Sequence, residues 1–598
     1  MNRTVLVCCG TGCRANGSLE VAEALRRAIS ENGAQAVVET VIKQTGCNGF
    51  CENGPIVRIM PDDISYYKVK PKNALDIVSS IGGVPVEQLL FKNDEGVPVL
   101  SQKENPFYSP QHKTVLRNIG EIDPGNLSDY LSRGGYAALK KAISMTPDAI
   151  IREVESSGLR GRGGAGFPTG RKWRAAAGFE ATPKYVICNG DEGDPGAFMD
   201  RSILEGDPHA VIEGMAICAL AIGAQEGFLY IRDEYALARK HVQKAISDAE
   251  ANGILGNSVM GSGKSLNLSV VRGGGAFICG ESTALMASIE GRVGEPRAKY
   301  TRSAQRGLWD QPTVLNNVET FANIPMIINN GGEDFAKLGA ENSKGTKVFA
   351  LVGKIRRSGL VEVPMGVSLR HLVHDVGGGV IDGRPLKAVQ IGGPSGGCIP
   401  AEMLDLPVDF DSLTDYGAMM GSGGMIVMDD RNCMVEVARY YVNFLAEESC
   451  GKCTPCREGL RQMSAILTDI CEGRGKEGDL ELLEVISGTL VDASLCALGK
   501  SAPNPVLTGI RYFRDEYAAH IQEKHCPAGV CAALTAFEID PSVCIGCANC
   551  KRACQTGAVT GKVKSAHKIN QAACVACGTC RDVCRSNAVR AIKRRAAV

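Results

Sequence analysis

Near its C-terminus the chain carries Cys544, Cys547, Cys550 and Cys554 in the spacing CxxCxxCxxxC, and Cys574, Cys577, Cys580 and Cys584 repeat that spacing 30 residues later. An internal repeat of thiols at fixed offsets constrains a fold more tightly than any hydrophobic pattern, because each run must wrap its sulfurs around a shared centre. The whole chain has 25 cysteines in 598 residues. In a secreted protein that number would suggest disulfides. Here the cysteines fall in tight clusters inside a large chain whose start, MNRTVLVCCGTGC, reads as a short strand entering a cysteine loop and not as a leader. Metal ligation is the better reading. The isolated Cys188, Cys218, Cys398 and Cys433 lie in apolar or glycine-rich surroundings and are expected to be small core residues.

Three further cysteine groups follow from spacing. Cys450, Cys453 and Cys456 in ESCGKCTPCREG, with distant Cys496 in SLCALGKSAPNPV, suit a four-iron cluster: a turn supplies three thiolates and a separate helix the fourth. At the N-terminus, strand-like TVLVC, helix-like SLEVAEALRRAIS and strand-like AVVETVIKQ set Cys8, Cys13, Cys47 and Cys51 on two loops of a small α/β layer. Four such thiolates suit an iron–sulfur cluster or zinc, and Cys9 could stand in for Cys8. In EYAAHIQEKHCPAGVC, Cys526 and Cys531 remain, with His520 and His525 beside them and Cys471 left over upstream. Cys471, His520, Cys526 and Cys531 make a closed zinc site of the Cys3His type; the alternative is buried cysteines in a linker.

The other dense feature is GRGGAGFPTGRKW, Gly161 to Trp173, with positive charge from Arg160, Arg162, Arg171 and Lys172. Glycines this frequent either make a flexible connection or let a phosphate approach the backbone. CNGDEGDPGAF (Cys188 to Phe198), RGGGAFICGESTAL (Arg272 to Leu285) and PTVLNNVET (Pro312 to Thr320) follow in order. SGKS at Ser262 to Ser265 imitates the end of a P-loop, but the position of its opening glycine is Ser258, so a plain loop is expected.

Together these stretches resemble the flavin and nicotinamide site of the NADH-oxidising subunit of respiratory complex I and of soluble hydrogenase diaphorase subunits. The resemblance runs from about residue 120 to the C-terminus. It implies that FMN lies on Gly161, Arg162, Gly163, Lys172, Asn189, Asp191, Gly280, Glu281, Asn316 and Asn317, with NAD(H) or NADP(H) near Gly164, Phe167, Glu192, Asp194 and Lys299. Phe277 and Ser282 belong to the same corner. The respiratory proteins carry paired glutamates where this chain has Glu281 followed by Ser282; one carboxylate fewer repels a 2′-phosphate less, which leaves NAD and NADP both open. The resemblance also implies a thioredoxin-like two-iron domain on Cys8, Cys13, Cys47 and Cys51. At the C-terminus it implies a two-cluster ferredoxin in which Cys584 completes the centre of Cys544, Cys547 and Cys550, and Cys554 that of Cys574, Cys577 and Cys580. The proline usual after each fourth cysteine is Gln555 and Arg585 here.

The expected fold is multidomain α/β. Residues 1–90 are a thioredoxin-like two-iron domain, 91–130 a proline-rich linker, 131–340 the FMN and NAD(P)H domain, and 341–430 a β-grasp (soluble-ligand-binding) domain. Residues 431–515 form a helical four-iron domain, 516–537 a Cys/His linker and 538–598 the ferredoxin-like end. Lys plus Arg and Asp plus Glu both number 66, so charge points to no nucleic-acid or membrane partner, and no apolar run approaches the roughly 20 residues of a bilayer span. A cytoplasmic location is expected.

A chain with both the thioredoxin-like start and the two-cluster end looks like the flavin subunit of multimeric hydrogenases. Such a subunit exchanges electrons among NAD(P)H, a hydrogenase catalytic subunit, a small thioredoxin-like two-iron subunit and ferredoxin, in complexes that can bifurcate electrons. The alternatives are the corresponding subunit of a formate dehydrogenase or NADH:quinone oxidoreductase, or a non-enzymatic iron–sulfur relay. These assignments predict one FMN and about 14 iron atoms per anaerobically purified chain, in one two-iron and three four-iron clusters. Flavin and metal analysis checks this; iron near four with full flavin would contradict it.

Overall fold

A computed structural model describes residues 3–31, 40–298 and 300–594. It divides into two units, the first comprising Met1–Gly383, Gln390–Gly393 and Glu402–Val427, the second Arg384–Val389, Pro394–Ala401 and Met428–Val598.

The first unit opens with a four-stranded sheet in the order Thr40–Thr45, Arg3–Cys8, Val57–Met60, Ile64–Tyr66. The first two strands are parallel and the others antiparallel. Residues 36–39 of the expected second strand lie outside the described residues. Helix Ser18–Glu31 buries Val21, Ala22, Leu25, Ala28 and Ile29, a stripe at helical spacing, against Val5, Val7, Val57 and Ile59.

The stretch 91–130 corrects the linker expectation. Phe107 is fully buried and stacks on Phe50 with centroids 4.2 Å apart, while Val115, Leu116, Ile119 and Ile122 join the core of the following α/β layer. Prolines interrupt periodicity without preventing burial, so aromatic and aliphatic side chains that show no repeat still pack.

That layer is an all-parallel sheet in the order Thr313–Asn317, Tyr185–Gly190, Glu226–Arg232, Asn267–Gly273. Helix Pro208–Ile222 is buried along its whole length, which its near-continuous apolar sequence anticipates. Asp207 caps its first turn and Gly223, at φ 80°, ends it. Helix Val318–Asn330 crosses it so closely that a Cβ on Gly214 would stand 2.1 Å from the Phe321 carbonyl oxygen. The SGKS stretch is a turn closed by Val259 N donating to Lys264 O at 2.8 Å, and a strand, not a helix, follows it.

Further on, Thr346–Gly353 pairs antiparallel with Gly359–Pro364 and parallel with Gly424 to Val427. After these two strands, His371–Val376 forms a wide helical turn. In the second unit, helices Met434–Glu447, Thr454–Cys471, Asp479–Ala493 and Asn504–Ala518 precede a ferredoxin-like end. There Thr535–Ile539 pairs antiparallel with Val589–Lys593, and each cysteine run leads into one short helix, Asn549–Ala553 or Thr579–Asp582. Among the described residues no helix is long and apolar enough to cross a membrane.

Gly214→Val should lower the thermal midpoint of the first unit in calorimetry, by the equivalent of about 1–3 kcal/mol or more, because the helices must separate to admit a side chain. An unchanged midpoint would contradict the close approach.

Candidate functional site

The parallel sheet places its informative residues at the carboxyl ends of its strands, where open α/β sheets bind ligands. Asn316 pairs in register with Cys188 and Asn317 with Asn189, so the NN and CNG stretches, far apart in sequence, become neighbours at one edge. The glycine loop runs over that edge. Gly161 N donates to Phe167 O at 2.9 Å, and helix Thr169–Ala177 follows the loop. Gly164 and Gly166 adopt φ of 119° and 59°, open to glycine and costly for other residues. A Cβ on Gly163 would stand 3.0 Å from Asn317 Cβ, so a side chain there would crowd the asparagine.

Not every expected charge faces a ligand. Arg162 is fully buried; its guanidinium donates to Thr346 O, Arg160 O and Lys344 O, and its amide to Thr320 Oγ1. Arg160 pairs with Asp411 at 3.0 Å and lies over the Phe410 ring. Both arginines brace the loop. Lys172 Nζ donates to Leu315 O at 2.7 Å and Asn316 Oδ1 at 3.3 Å, holding a cation at the sheet edge. Asn316 is buried and its amide nitrogen has no partner within the protein, a donor left for a bound group. Glycine cradle, lysine and spare amide together fit a flavin phosphate and ring.

Backbone amides and neighbouring side chains hold the acidic residues. Asn189 Nδ2 donates to Gly280 O, its Oδ1 accepts from Asp191 N, and Arg232 Nη1 lies 3.5 Å from Asp191 Oδ1. Glu192 accepts from the amides of Asp200 and Arg201, each at 3.1 Å, and Tyr235 OH donates to its carbonyl. Burial raises the Glu192 carboxyl above its ordinary range, despite those amides. Burial also pushes Asp194 up to about 6, and Ser422 Oγ donates to it. Glu281 caps helix Ser282–Ile289 through Thr283 N and Ala284 N, and Ser282 Oγ donates to Glu281 Oε1 at 3.2 Å. Phe277 lies against Gly193, and Phe167 is 38% exposed at the loop. Lys299 lies outside the described residues. No motif signals Asp200, Tyr235 or Ser422; the fold alone brings them here.

Thiols distant in sequence meet in the folded chain. Hydrogen bonds from the Cys13 and Cys47 thiols hold Cys8 well below its ordinary range, and Cys47 Sγ is 3.3 Å from Cys51 Sγ. Cys9 instead turns into the core beside Ser18, where burial pushes it up to about 11. Cys8 is therefore the thiol that meets the others. Cys456 is pushed up to about 11, first by burial and then by Cys453, Cys496 and Cys450. Cys453 and Cys496 each stand at the N-cap of a helix. Burial raises Cys550, and Cys584, Cys544 and Cys547 raise it further, which brings together the first crossed set. Burial, Cys574, Cys577 and Cys550 act on Cys580.

The fifth group corrects the sequence expectation. Cys433, His520, Cys526 and Cys531 bring their ligand atoms within 4.8 Å of one another, all buried. Cys433, expected as a lone core residue, takes the place assigned to Cys471. Cys471 groups instead with Cys531 and Glu436. His520 Nε2 lies 3.3 Å from Cys433 Sγ and 3.4 Å from Cys531 Sγ, while Nδ1 lies 2.7 Å from the Glu516 carbonyl, a contact that selects the Nδ1–H tautomer and leaves Nε2 for a metal. Three sulfurs and one imidazole nitrogen are a zinc donor set. Cys188, Cys218 and Cys398 are buried, as expected of core thiols.

A flavin cradle at the strand ends of a parallel sheet, in a chain with several cysteine clusters, defines a flavin- and iron–sulfur-dependent oxidoreductase. Residues 154–326 match the Nuo51 FMN-binding domain, 436–520 the NADH-ubiquinone oxidoreductase-F iron-sulfur binding region, 2–82 the thioredoxin-like [2Fe-2S] ferredoxin and 536–585 the 4Fe-4S dicluster domain. The NADP-reducing hydrogenase subunit HndC of Solidesulfovibrio fructosivorans is 51% identical over 457 residues, 76% of this chain and 93% of its own. An F-type subunit of the NADH-quinone oxidoreductase of Rhizobium meliloti is 47% identical over 414 residues, 69% of this chain and 98% of its own. A solved NAD+-reducing [NiFe]-hydrogenase chain superposes with a TM-score of 0.61 at 30% identity, covering 87% of this chain and 84% of its own. The chain belongs to the family of FMN- and iron–sulfur-containing NAD(P)H-oxidising subunits of complex-I-type and hydrogenase complexes.

Cys433→Ser should lower bound zinc in the purified chain, whereas Cys471→Ser should leave it in place. Elemental analysis of both variants decides; zinc lost from Cys471→Ser alone would restore the original donor set.

Proposed function

We propose that this chain is the diaphorase subunit of a multimeric hydrogenase complex, exchanging hydride between NAD(H) or NADP(H) and FMN and passing single electrons to and from partners through its clusters. The observation that carries this reading is the joining, in one chain, of the glycine-loop crevice at the sheet edge with cysteine clusters at both ends. FMN, when bound, supplies acceptance of an electron pair and its release one electron at a time. The chain's own part is positional. Gly161, Gly163 and Gly164 let flat rings approach the backbone, while Lys172 and the Asn316 amide hold the phosphate end. Asn189, Asp191, Asn317, Gly280 and Glu281 fix the floor, and Glu192 and Asp194 line the mouth with Phe167 and Phe277. Arg162 contributes by bracing the loop, since its guanidinium and its amide are both already committed.

We assign the two-iron ligands to Cys8, Cys13, Cys47 and Cys51. The four-iron sets are Cys450, Cys453, Cys456 and Cys496; Cys544, Cys547, Cys550 and Cys584; and Cys574, Cys577, Cys580 and Cys554. Structural zinc goes to Cys433, His520, Cys526 and Cys531. Ferredoxin exchange is assigned to the C-terminal domain, where Lys551, Arg552, Lys562, Lys564, Arg585 and Lys593 are exposed and would steer an acidic carrier. Arg581 and Arg590 are tied to Ala528 O and Asp540 and contribute less. Clusters of thiolate ligands favour the reducing cytoplasm as the protein's location. Electron bifurcation is the reading for the assembled complex.

The anaerobic chain should reduce a viologen or ferricyanide dye with NADH or NADPH, and absence of that activity in flavin-replete protein would overturn the reading in favour of a passive relay. In the same assay Ser282→Glu should lower kcat/KM for NADPH about tenfold more than for NADH, about 1.4 kcal/mol. Equal losses would place nucleotide discrimination elsewhere.

A further inference from the structure

Helix Met199–Gly206 connects the nucleotide corner to the cysteine loops of the N-terminal domain. At its start, the amides of Asp200 and Arg201 are the donors to Glu192. At its end, Glu205, only 2% exposed, accepts from the Thr11 amide at 2.9 Å and from the Thr11 hydroxyl. The next residue, Gly206, lies so near Gly46 that a Cβ on Gly46 would stand 2.4 Å from Gly206 Cα. Thr11 sits between Cys8 and Cys13, and Gly46 immediately precedes Cys47. A helix of eight residues thus grips both cysteine loops.

We propose that Glu205 is a positioning and tuning residue for the two-iron cluster: it docks the Cys8–Cys13 loop on the flavin domain and holds the cluster's midpoint potential low. Two effects act in the same direction. A buried negative charge near the cluster disfavours addition of an electron where the surrounding dielectric is low. The carboxylate also captures the Thr11 N–H and O–H, donors that would stabilise the reduced cluster if they pointed at its sulfurs. Arg201 Nε, 3.9 Å from Glu205 Oε1, partly offsets the charge. Through its side chain Glu205 meets Thr11 and Arg201, so its influence on the cluster runs through the loop and through its field.

This inference rests on the two-iron ligand set assigned above, and the test separates the two. In an EPR-monitored redox titration of the full chain, Glu205→Gln keeps a carbonyl for the Thr11 amide and removes the charge. The reduced-to-oxidised ratio of the two-iron signal at fixed potential should rise about tenfold, about 59 mV for one electron, while the four-iron midpoints stay put. Arg201→Gln, which removes the opposing charge, should shift the same midpoint downward. An unmoved midpoint in Glu205→Gln, or shifts of the same sign in both variants, would overturn the proposal. If Glu205→Gln loses the two-iron signal, Arg201→Gln decides: a downward shift sustains the role of the charge and no shift overturns it. Absence of any two-iron signal in the unmodified chain would overturn the ligand assignment itself, and this inference with it.

Discussion

Buried carboxylates that accept backbone amides hold the first unit together. Glu213 takes the amides of Tyr136 and Leu139, Glu362 those of Val115 and Leu116, Glu192 those of Asp200 and Arg201, and Glu319 that of Val348. Each joins segments that share no regular secondary structure. A charged acceptor strengthens each bond, and the bonds in turn offset the cost of burying the carboxyl. Burial still raises Glu192, Glu213 and Glu362 above the ordinary carboxylate range. Glu319 has a further partner in Lys347, itself completely buried, so the sheet following the flavin layer is tied to helix Val318–Asn330 by an ion pair sealed from water. Loss of either member would strand the other charge.

This architecture explains how the glycine loop is held in left-handed backbone conformations that other residues would resist. Gly164 and Gly166 occupy left-handed backbone regions, yet Arg160 and Arg162 at the start of the loop anchor it to carbonyl oxygens and to Asp411. The loop's rigidity therefore comes from residues whose positive charge first suggested ligand contact. Lys172 differs because it reaches the strand end itself, where the unpartnered Asn316 amide lies.

Motifs dense in one residue type were legible in the sequence. Cysteine spacing marked out the iron–sulfur domains because ligands on one turn must be close in sequence, and the buried run of helix Pro208–Ile222 announced itself as continuous apolar sequence. What was not legible depends on long-range closure. Cys433 meets His520 across 87 residues, so proximity in the chain favoured Cys471 wrongly as the fourth donor in the described geometry. Asp200 and Ser422 carry no motif and reach the crevice only through the folding of helix Met199–Gly206 and of a distant turn. The proline-rich stretch 91–130 misled for the opposite reason: its composition suggests a tether, whereas Phe107 and Ile119 are core residues.

The gathering of Cys550 with Cys584 has a consequence for biosynthesis. With the ligand set proposed above, a centre on Cys544, Cys547 and Cys550 closed by Cys584 cannot be completed while Cys584 is still inside the ribosome. The strand Thr535–Ile539 waits likewise for its antiparallel partner, Val589–Lys593, on the far side of the second cysteine run. On that assignment the thiols of the first run stay uncapped until both runs have emerged, so iron delivery to this domain would follow synthesis of the whole repeat.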